Sequence, residues 1–486
     1  MEKENYLHSL ASVPLTDIVK EEYRTYQIYT LMDRAIPYLE DGLKPVQRRI
    51  LYTLYKNQSK GLMKVSSATG LVLTLHPHGP QSIESAIVNM AQDFTFSNNY
   101  PLIDKKGYFG ERMETMPAAS RYIECKIGKV ADILLFDDLN QVEMVDNYDE
   151  KAKEPVHLLP KLPLMLLNGS EGIGTGFSST IPSFNHEDVV AAMIHYIKTG
   201  KGKNLKPWIR HFSQKVAVEP NGKLIFKAKI EKKGEKFFIT ELPRGYDAKK
   251  TYGALSKLIE RDTIKDFIDS TVDNDISIEL IFKKGRKPTD VGDLEEKLNL
   301  KSSLSPNYTL ISERGVKIYR RPLEIIKLFT DRRLKIVKER YRLLAENYKH
   351  KIDQNNEIIR FIQEKHYARA VKEKNRKSFV DYLTKKKFRF FDYLADMPIY
   401  RMTKEEVAKR RLMLKEDKAS LVECRKIVRS HALVKKKLIE ELTDVKEQLE
   451  VLFETREKER KKLREQIIKK SSKVKGSGRK KSRTKR

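Results

Sequence analysis

The stretch VSSATGLVLTLHPHGPQSIESAIVNMAQDF, residues 65–94, holds two short apolar-periodic segments on either side of a His-Pro-His-Gly turn. The pattern predicts one helix at about Ser66–Leu75 and a second at about Pro80–Gln92. Proline suits the first position of a helix, because its missing N–H would have no partner there in any case. Apolar residues of the second segment share one helical face: Ile83, Ile87, Val88 and Met90. Two short helices joined this way form a helix-turn-helix, whose second helix commonly enters the major groove of DNA.

A second stretch, AASRYIECKI at residues 118–127, places an Arg-Tyr pair before a short alternating run. The local spacing leaves two interpretations of Tyr122 open. It is either a half-buried strand residue or a nucleophile with Arg121 beside it. A phenol that attacks a phosphate needs DNA delivered to it, so the rest of the chain has to decide between them.

Composition favours a nucleic-acid partner. The 486 residues include 97 Lys and Arg against 67 Asp and Glu, which gives a net charge of +30. Such an imbalance indicates a polyanion more often than simple solubility. The two cysteines, Cys125 and Cys424, match no zinc or disulfide spacing, so a reducing compartment is expected. The N-terminus lacks a signal-peptide core and the longest apolar run is too short for a bilayer, which predicts a cytoplasmic protein without membrane partners.

The remainder of the chain changes character twice. Alternating β-branched and aromatic segments at 222–231, 234–242 and 276–284 predict an α+β domain. From residue 322, heptad spacing in two arms of similar length predicts an antiparallel coiled-coil hairpin with a compact helical head between the arms. In the head, Thr403 and Glu406 are spaced as a capping box. The basic C-terminal residues predict a disordered tail with salt-sensitive phosphate affinity.

These segments, in this order, resemble the DNA-cleaving A subunits of bacterial type IIA topoisomerases, those of gyrase and of topoisomerase IV. The match rests on RAIPYLEDGLKPVQRRILY (34–52), HPHG (76–79), GYFGERMETMPAASRYIE (107–124) and LPLMLLNGSEGIGTGFSSTIPSFN (162–185). The resemblance implies a multidomain α+β fold with the following parts: an N-terminal arm (1–30), a winged-helix DNA-cleavage domain (31–150), an α/β tower domain (151–321), coiled-coil arms (322–367 and 408–455), a helical dimer-gate head (368–407) and a basic disordered tail (456–486).

The resemblance also implies a reaction. Tyr122 would attack a DNA phosphate, giving a 5′-phosphotyrosine and a free 3′-hydroxyl. The supporting catalytic residues would be Arg121, His78 and Arg34. The implied DNA contacts are Lys44, Arg48, Arg49, Gln81, Ser82 and the intercalating wedge Ile173. The glycines around the wedge would let the backbone approach DNA. Two alternatives stay open: His78 could simply cap its turn, and one of Arg48 and Arg49 could be a solvated helix charge.

The sequence contains no phosphate-binding loop in a convincing context and no acidic cluster for catalytic magnesium. The resemblance therefore implies Mg²⁺ and ATP bound by a separate B subunit, and no metal site in this chain. The implied assembly is an A₂B₂ heterotetramer on double-stranded DNA, with a homodimer contact through the coiled-coil head. Its place in the cell would be the nucleoid.

Three functions are compatible with these patterns. Family A subunits usually continue into a DNA-wrapping domain. Its absence after the coiled coil favours relaxation and decatenation, the topoisomerase IV type. A gyrase-type supercoiling subunit with wrapping supplied elsewhere is the first alternative. A non-catalytic DNA-bridging coiled-coil protein is the second. Arg121 and Tyr122, with His78 and Arg34, favour an enzyme, because a pure binder need not keep them.

Overall fold

The computed structural model describes residues 14–481 except positions 273, 286 and 289. The start of the predicted arm and the last residues of the predicted tail lie outside this range. The chain forms two compact units, one of residues 1–330 with 442–486 and the other of residues 331–441. Among the described helices, none combines the length and the apolar content that a membrane span needs.

The first unit begins with a helical arm and the helix-turn-helix. The arm comprises α1 (Leu15–Ile18) and α2 (Arg24–Thr30), each followed by a π-helical segment, Val19–Tyr23 and Leu31–Ala35. After it come α3 (Pro45–Lys56), α4 (Val65–Val72) and α5 (Pro80–Ala91). The two helices predicted around the HPHG turn are therefore confirmed. The first ends at Val72 rather than Leu75, because the Val72 carbonyl accepts the amides of both Leu75 and His76 in a tight turn. The predicted apolar face of α5 is buried.

A three-stranded antiparallel sheet lies beside these helices, in the order β1–β3–β2. Its strands are β1 (Met63–Lys64), β2 (Ile103–Lys106) and β3 (Glu124–Ile127), and the helix α6 (Lys129–Leu135) follows β3. The central strand turns Cys125 and Ile127 inward, so alternate side chains of β3 are buried. Burial raises the pKa of the Cys125 thiol to about 12, which makes this cysteine a structural residue.

The rest of the first unit, up to residue 319, mixes strands and helices as the sequence predicts. The elements are β4 (Met144–Asp146), β5 (Lys153–Pro155), α7 (Leu164–Leu167), β6 (Ser170–Ile173), β7 (Ser178–Ile181), α8 (His186–Thr199), β8 (Ala217–Val218), β9 (Leu224–Lys227), β10 (Lys229–Lys233), β11 (Lys236–Glu241), α9 (Ala248–Glu260), β12 (Asp266–Asp269), β13 (Ile278–Ile281), α10 (Val291–Leu298), β14 (Lys301–Leu304), β15 (Tyr308–Ser312) and β16 (Gly315–Tyr319). A four-stranded sheet, β10–β11–β13–β12, packs its inward residues against apolar residues of α9 and α10.

The second unit is built from long helices around a small head. Its elements are most of α11 (Pro322–Gln363), then α12 (Tyr367–Ala370), α13 (Arg376–Lys385), α14 (Phe391–Ala395), α15 (Lys404–Arg429) and the start of α16 (His431–Lys481). Arg333 bonds Glu441 at 2.7 Å, and Arg410 bonds Asn355 at 2.7 Å. Residue numbers thus rise on one arm while they fall on the other, which is the antiparallel pairing that the heptads predict.

Three details of this region differ from the sequence-based expectation. The returning arm is two helices, because the chain leaves helical geometry at Ser430 before α16 begins. The helix α16 also passes the predicted boundary at residue 455, so the predicted start of a disordered tail at 456 is wrong. Arg456 pairs with Asp104 at 2.7 Å, and such a contact stabilises the first turn of the predicted tail. Of the two hydrogen bonds of the predicted capping box, one forms: the Thr403 hydroxyl accepts a hydrogen bond from the Glu406 N–H at 3.2 Å.

A buried ion pair ties the loop before α3 to the interior of the first unit. The Arg48 Nε donates to Asp41 Oδ2 at 2.6 Å, and its Nη2 donates to Oδ1 at 3.1 Å. The same carboxylate accepts the amides of Leu43 and Leu158 at 3.0 and 3.1 Å. Four donors therefore converge on Asp41, and its side chain is fully buried. Arg48, which the sequence assigns to a DNA phosphate, is committed to this pair.

Replacing Asp41 by Ala is expected to lower the free energy of unfolding of the first unit by about 3–5 kcal/mol, because it leaves a buried arginine without its counter-charge. Urea denaturation of the variant and the wild-type chain measures this. Glu235→Ala is the matched control, since Glu235 pairs with Lys287 at the surface and should change nothing measurable. An Asp41→Ala chain as stable as the control would show that the pair does not hold this loop.

Candidate functional site

Tyr122 lies in the turn that leads into β3, one residue before the buried Ile123. Its side chain is 65% exposed, so it is not the half-buried strand residue that the local spacing allowed. The first amides of α4 fix this turn: Val65 N donates to the Ile123 carbonyl at 3.0 Å, and Ser66 N to that of Ser120 at 3.3 Å. The Arg121 guanidinium carbon lies 4.7 Å from the centre of the Tyr122 ring. The pair is thus presented to solvent on an anchored turn.

A second group of polar side chains surrounds His78, at the start of α5. The His78 Nε2 lies 3.0 Å from Asp33 Oδ2 and 3.2 Å from the Tyr29 hydroxyl. The ring also meets that of His76 edge to face, at 4.8 Å between centres. Its neighbours come from the arm as well as from the turn, so His78 does more than cap its own turn.

Arg49 joins this group from α3. It donates from Nε and Nη2 to the two carboxylate oxygens of Glu154, at 2.6 and 2.9 Å. Its Nη1 donates to His76 Nδ1 at 2.9 Å and lies 3.9 Å from Asp33 Oδ1. Burial and the charges of Arg49 and His78 lower the pKa of His76 to about 4, so this histidine is neutral at pH 7. We call these six residues the histidine cluster: Tyr29, Asp33, Arg49, His76, His78 and Glu154.

Some of the other predicted site residues are exposed to solvent, and others are held in ion pairs within the protein. Arg34 is exposed next to the histidine cluster, and its charge adds, after those of Arg49 and His78, to the lowering of the His76 pKa. Gln81 and Ser82 are exposed on the first turn of α5, opposite its buried face. Neither Arg48 nor Arg49 is the solvated helix charge that the sequence left possible, since both form short ion pairs.

Ile173 stands at the tip of the β6–β7 hairpin with 90% of its side chain exposed. Two glycines beside it, Gly172 and Gly174, serve the protein's own packing. A Cβ atom at Gly172 would lie 1.9 Å from the Ala35 carbonyl oxygen, and one at Gly174 would lie 2.4 Å from a Leu31 methyl carbon. The hairpin therefore rests directly on the π-helical segment that carries Arg34 and Asp33. This packing differs from the approach towards DNA that the sequence predicts for these glycines.

Lys44, another predicted DNA contact, braces the same hairpin. Its Nζ donates to the Glu171 carbonyl at 2.7 Å, and the Glu171 carboxylate pairs with Arg244. Burial lowers the pKa of Lys44, an effect that the charge of Glu171 partly opposes. The Lys44 ammonium group thus bonds the backbone two residues before Ile173, and this bond helps to position the hairpin tip.

The structure places four of the ten predicted site residues in two groups: Arg121 and Tyr122 form the first, and Arg49 and His78 belong to the histidine cluster. In the described residues, no hydrogen bond or ion pair joins the first group to the second. Sequence reasoning missed Tyr29, Asp33, His76 and Glu154. Of these, only His76 could have been found from the sequence, because it is the first histidine of the HPHG turn. The other three belong to no motif near the residues they contact, and Glu154 lies 105 positions from Arg49 in the chain.

The residues around Tyr122 do not form a magnesium site. The nearby carboxylate of Glu124 is paired with Lys64 at 2.9 Å and Lys106 at 3.3 Å, and Asp33 is committed to His78. Across the described residues, one group brings three possible metal ligands within 4.8 Å of one another: His186, Glu187 and Glu450. It includes none of the residues assigned to the reaction. The carboxylates of Glu124 and Asp33 are thus engaged with cationic or imidazole groups of this chain.

Comparison with known proteins gives a consistent result. A family model for the A subunits of DNA gyrase and topoisomerase IV matches residues 34–443. Over 374 residues the chain is 31% identical to the mitochondrial DNA topoisomerase 2 of Dictyostelium discoideum, covering 73% of this chain and 28% of that one. Over 311 residues it is 33% identical to the DNA topoisomerase 4 A subunit of Borreliella burgdorferi, covering 62% of this chain and 48% of the relative.

A solved structure also matches. It is the DNA-binding, cleavage and re-ligation domain of Plasmodium falciparum topoisomerase II, with a TM-score of 0.79 and 28% identity, covering 90% of this chain and 65% of that one. The chain spans less than half the length of the two sequence relatives. The family model nevertheless covers the exposed Arg-Tyr turn, four members of the histidine cluster and most of the long helices. The chain belongs to the family of DNA gyrase and topoisomerase IV A subunits.

Proposed function

We propose that this chain is the DNA-cleaving subunit of a type IIA DNA topoisomerase and that Tyr122 is its nucleophile. The observation that carries the proposal is the Arg121–Tyr122 pair, exposed on a turn anchored to the helix-turn-helix. A solvent-facing phenol with a guanidinium over its ring can meet a phosphate, whereas a structural tyrosine would pack its ring inward. The family membership and the net charge of +30 support the same substrate, double-stranded DNA.

The reaction would be a transesterification, in which the DNA phosphate is transferred from a 3′ oxygen to the Tyr122 oxygen. The Tyr122 oxygen attacks phosphorus as its proton leaves, the bond to the 3′ oxygen breaks, and that oxygen takes up a proton. The product is a 5′-phosphotyrosine with a free 3′-hydroxyl. Because the bond to phosphorus is kept in the protein link, religation needs no further energy source. Arg121 cannot accept a proton, but its cation suits the charge that grows on the phosphate. His78, from the histidine cluster, and Arg34 beside it would support the phosphate.

DNA binding would extend from this site along two surfaces. Gln81 and Ser82 are exposed at the start of α5, the helix that a helix-turn-helix places in the major groove. Ile173 would insert between base pairs and bend the duplex, in the manner of apolar wedges. The acidic partners of Arg49 and the carbonyl bonded to Lys44 hold these cations in place, so any contact they make with DNA is made from fixed positions.

The chemistry missing from this chain would come from a partner. We propose a B-type subunit that binds ATP and Mg²⁺ and assembles with this chain as an A₂B₂ heterotetramer. The arm supports such a contact, because large apolar side chains line it in exposed positions: Leu15, Val19, Tyr23 and Tyr26. An apolar surface of this kind on a helix usually binds another protein.

A contact between two copies of this chain would form at the head of the second unit. We define the head surface by Val371, Ile399 and Tyr400, which are large apolar residues exposed on a small helical domain. Two nucleophiles, one in each protomer, would then make the staggered double-strand break through which a second duplex passes.

The topological outcome separates the related functions. We place decatenation and relaxation first, since the Borreliella burgdorferi relative at 33% identity belongs to a DNA topoisomerase 4. Gyrase-type supercoiling is the alternative within the family. A non-catalytic DNA-bridging protein is the alternative outside it. The complex is given ATP and either relaxed or catenated DNA circles: supercoiling of the relaxed circles indicates the gyrase type, and separation of the catenated circles indicates the topoisomerase IV type. The next prediction distinguishes both enzymes from the bridging protein.

Tyr122→Phe is expected to abolish covalent DNA–protein adducts, because it removes the one oxygen that attacks phosphorus. DNA affinity should stay within about twofold, since the exposed ring and the neighbouring Arg121 cation are kept. The chain is mixed with its B-type partner, Mg²⁺ and plasmid, and the reaction is stopped with denaturant before adducts are counted. Adducts at the wild-type level in the variant would reject Tyr122, and their absence from the wild type would favour the bridging protein.

Ile173→Ala is expected to reduce bending of a short duplex, measured by energy transfer between dyes at its two ends. Loss of an inserted side chain should also weaken binding by about 1–3 kcal/mol. Ile318→Ala is the matched control, since Ile318 is an isoleucine exposed on β16. Thermal stability should not change in either variant, because both side chains are exposed. Equal bending by both variants would remove Ile173 from the wedge role.

Replacing Ile399 and Tyr400 together by Asp is expected to convert a dimer into monomers, because charge cannot be buried in an apolar contact without a partner. These two side chains are 80% and 72% exposed, so the fold of the monomer should survive. Light scattering on the purified chain gives the mass. Val422→Asp, an exposed apolar position on α15, should stay dimeric. A double variant that remains a dimer would exclude the head surface.

A further inference from the structure

Asp33 is one of two acidic residues of the histidine cluster, and it is the one that contacts His78. It directly precedes Arg34 in the chain, and its carboxylate reaches into the histidine cluster rather than towards solvent. Oδ2 lies 3.0 Å from His78 Nε2, and Oδ1 lies 3.9 Å from Arg49 Nη1. The carboxylate is therefore held between an imidazole and a guanidinium, and only a quarter of its surface is exposed.

The chemistry of the contact decides which ring nitrogen of His78 carries a proton. An ionised carboxylate can only accept hydrogen bonds, so Nε2 must be the donor towards Asp33. The Tyr29 hydroxyl, 3.2 Å from the same nitrogen, can accept part of this bond while it donates its own proton to Asp33. Burial, and then the charge of Asp33, raise the pKa of Tyr29, which keeps that hydroxyl protonated.

The other nitrogen of the ring is left for a ligand. Within the described part of the chain, no group bonds His78 Nδ1, since both polar contacts of the ring are made by Nε2. The neighbouring side chains that could otherwise bond Nδ1 already have other hydrogen-bond partners. Arg49 is bonded to Glu154 and His76, and His76 is neutral with its Nδ1 accepting from Arg49. Arg34 is exposed and close enough to influence the cluster by charge.

We propose that Asp33 is a positioning residue for His78. It holds one proton on Nε2 and fixes the rotation of the ring, so that Nδ1, in the doubly protonated imidazolium, is the donor presented to an oxygen of the scissile phosphate group. The logic is that of a carboxylate that fixes the tautomer of a catalytic histidine. The proposal rests on the proposed function, in that His78 must support the phosphate. The proton position on His78, however, is a property of this chain by itself.

Cleavage kinetics form the first half of the test. Asp33→Ala in the holoenzyme is expected to lower the rate constant of adduct formation about 10- to 100-fold with little change in DNA affinity, a loss of the size seen when the carboxylate behind a metal-ligating histidine is removed. In a His78→Ala background the same change should have no further effect. Asp33→Asn, which keeps the volume, covers the case in which the alanine variant folds poorly. Asp93→Ala, at a surface pair with Lys105, is the matched control.

The second half measures the proton directly. Nitrogen NMR of the chain labelled with ¹⁵N-histidine, with His78→Ala used to assign the signal, should show Nε2 protonated in the wild type and a mixture of tautomers in Asp33→Asn. A wild-type ring protonated only on Nδ1, or an Asp33→Ala effect that persists unchanged without His78, would overturn the proposal. A wild type with the expected NMR signal but no adducts would instead count against the proposed function.

Discussion

The exposure of Tyr122 depends on the alternation of side chains in one short strand. In β3 the side chains of Cys125 and Ile127 are buried, and Ile123 just before the strand is buried with them. Because the period of a strand is two, this fixes which side chains can reach solvent. The amides of α4 bond the carbonyls of Ser120 and Ile123, so the preceding turn cannot slip. Tyr122 therefore stands outside the core, on a turn that is anchored to the helix-turn-helix.

The cations of the site are arranged by acids rather than left as a loose positive patch. Arg48 is committed to Asp41, Arg49 to Glu154, and His78 to Asp33. Each pair removes conformational freedom from a long or rotating side chain before any DNA arrives. Preorganised donors are worth more to a developing charge than flexible ones, because they need no reorganisation at the moment of reaction. The cost is that fewer of these cations are available for simple phosphate binding than the sequence indicates.

The wedge and the histidine cluster share one mechanical support. The β6–β7 hairpin, which carries Ile173, lies on the segment of Ala35 and Leu31, and Lys44 bonds its backbone. Asp33 and Arg34 belong to that same segment. A duplex bent by the hairpin would therefore press on the residues that hold His78. The proposed bending and the proposed phosphate contacts are neighbours in structure, although up to about 140 positions separate them in the chain.

Local patterns predicted much of this fold, and long-range pairings set its limits. The helix-turn-helix, the buried face of α5, the strands of the α+β region and the antiparallel arms all follow from periodicity. The break at Ser430 and the partner of Arg48 were not predicted. The contact that holds the helix beyond residue 455 and the partner of Arg49 could not be predicted from periodicity, because each joins residues far apart in sequence. Tyr122 and Arg121 could be singled out from the family motif, whereas Asp33 could be found only from its contacts.

The most direct measurement is the chemical identity of the protein–DNA link. Covalent adducts formed by the complete complex would be digested with nuclease and trypsin and read by mass spectrometry. We predict a nucleotide bound through a 5′ phosphate to the peptide Tyr122–Lys126, which trypsin releases after Arg121. A link on any other residue, or a phosphate attached through its 3′ end, would contradict the assignment of Tyr122 as the nucleophile.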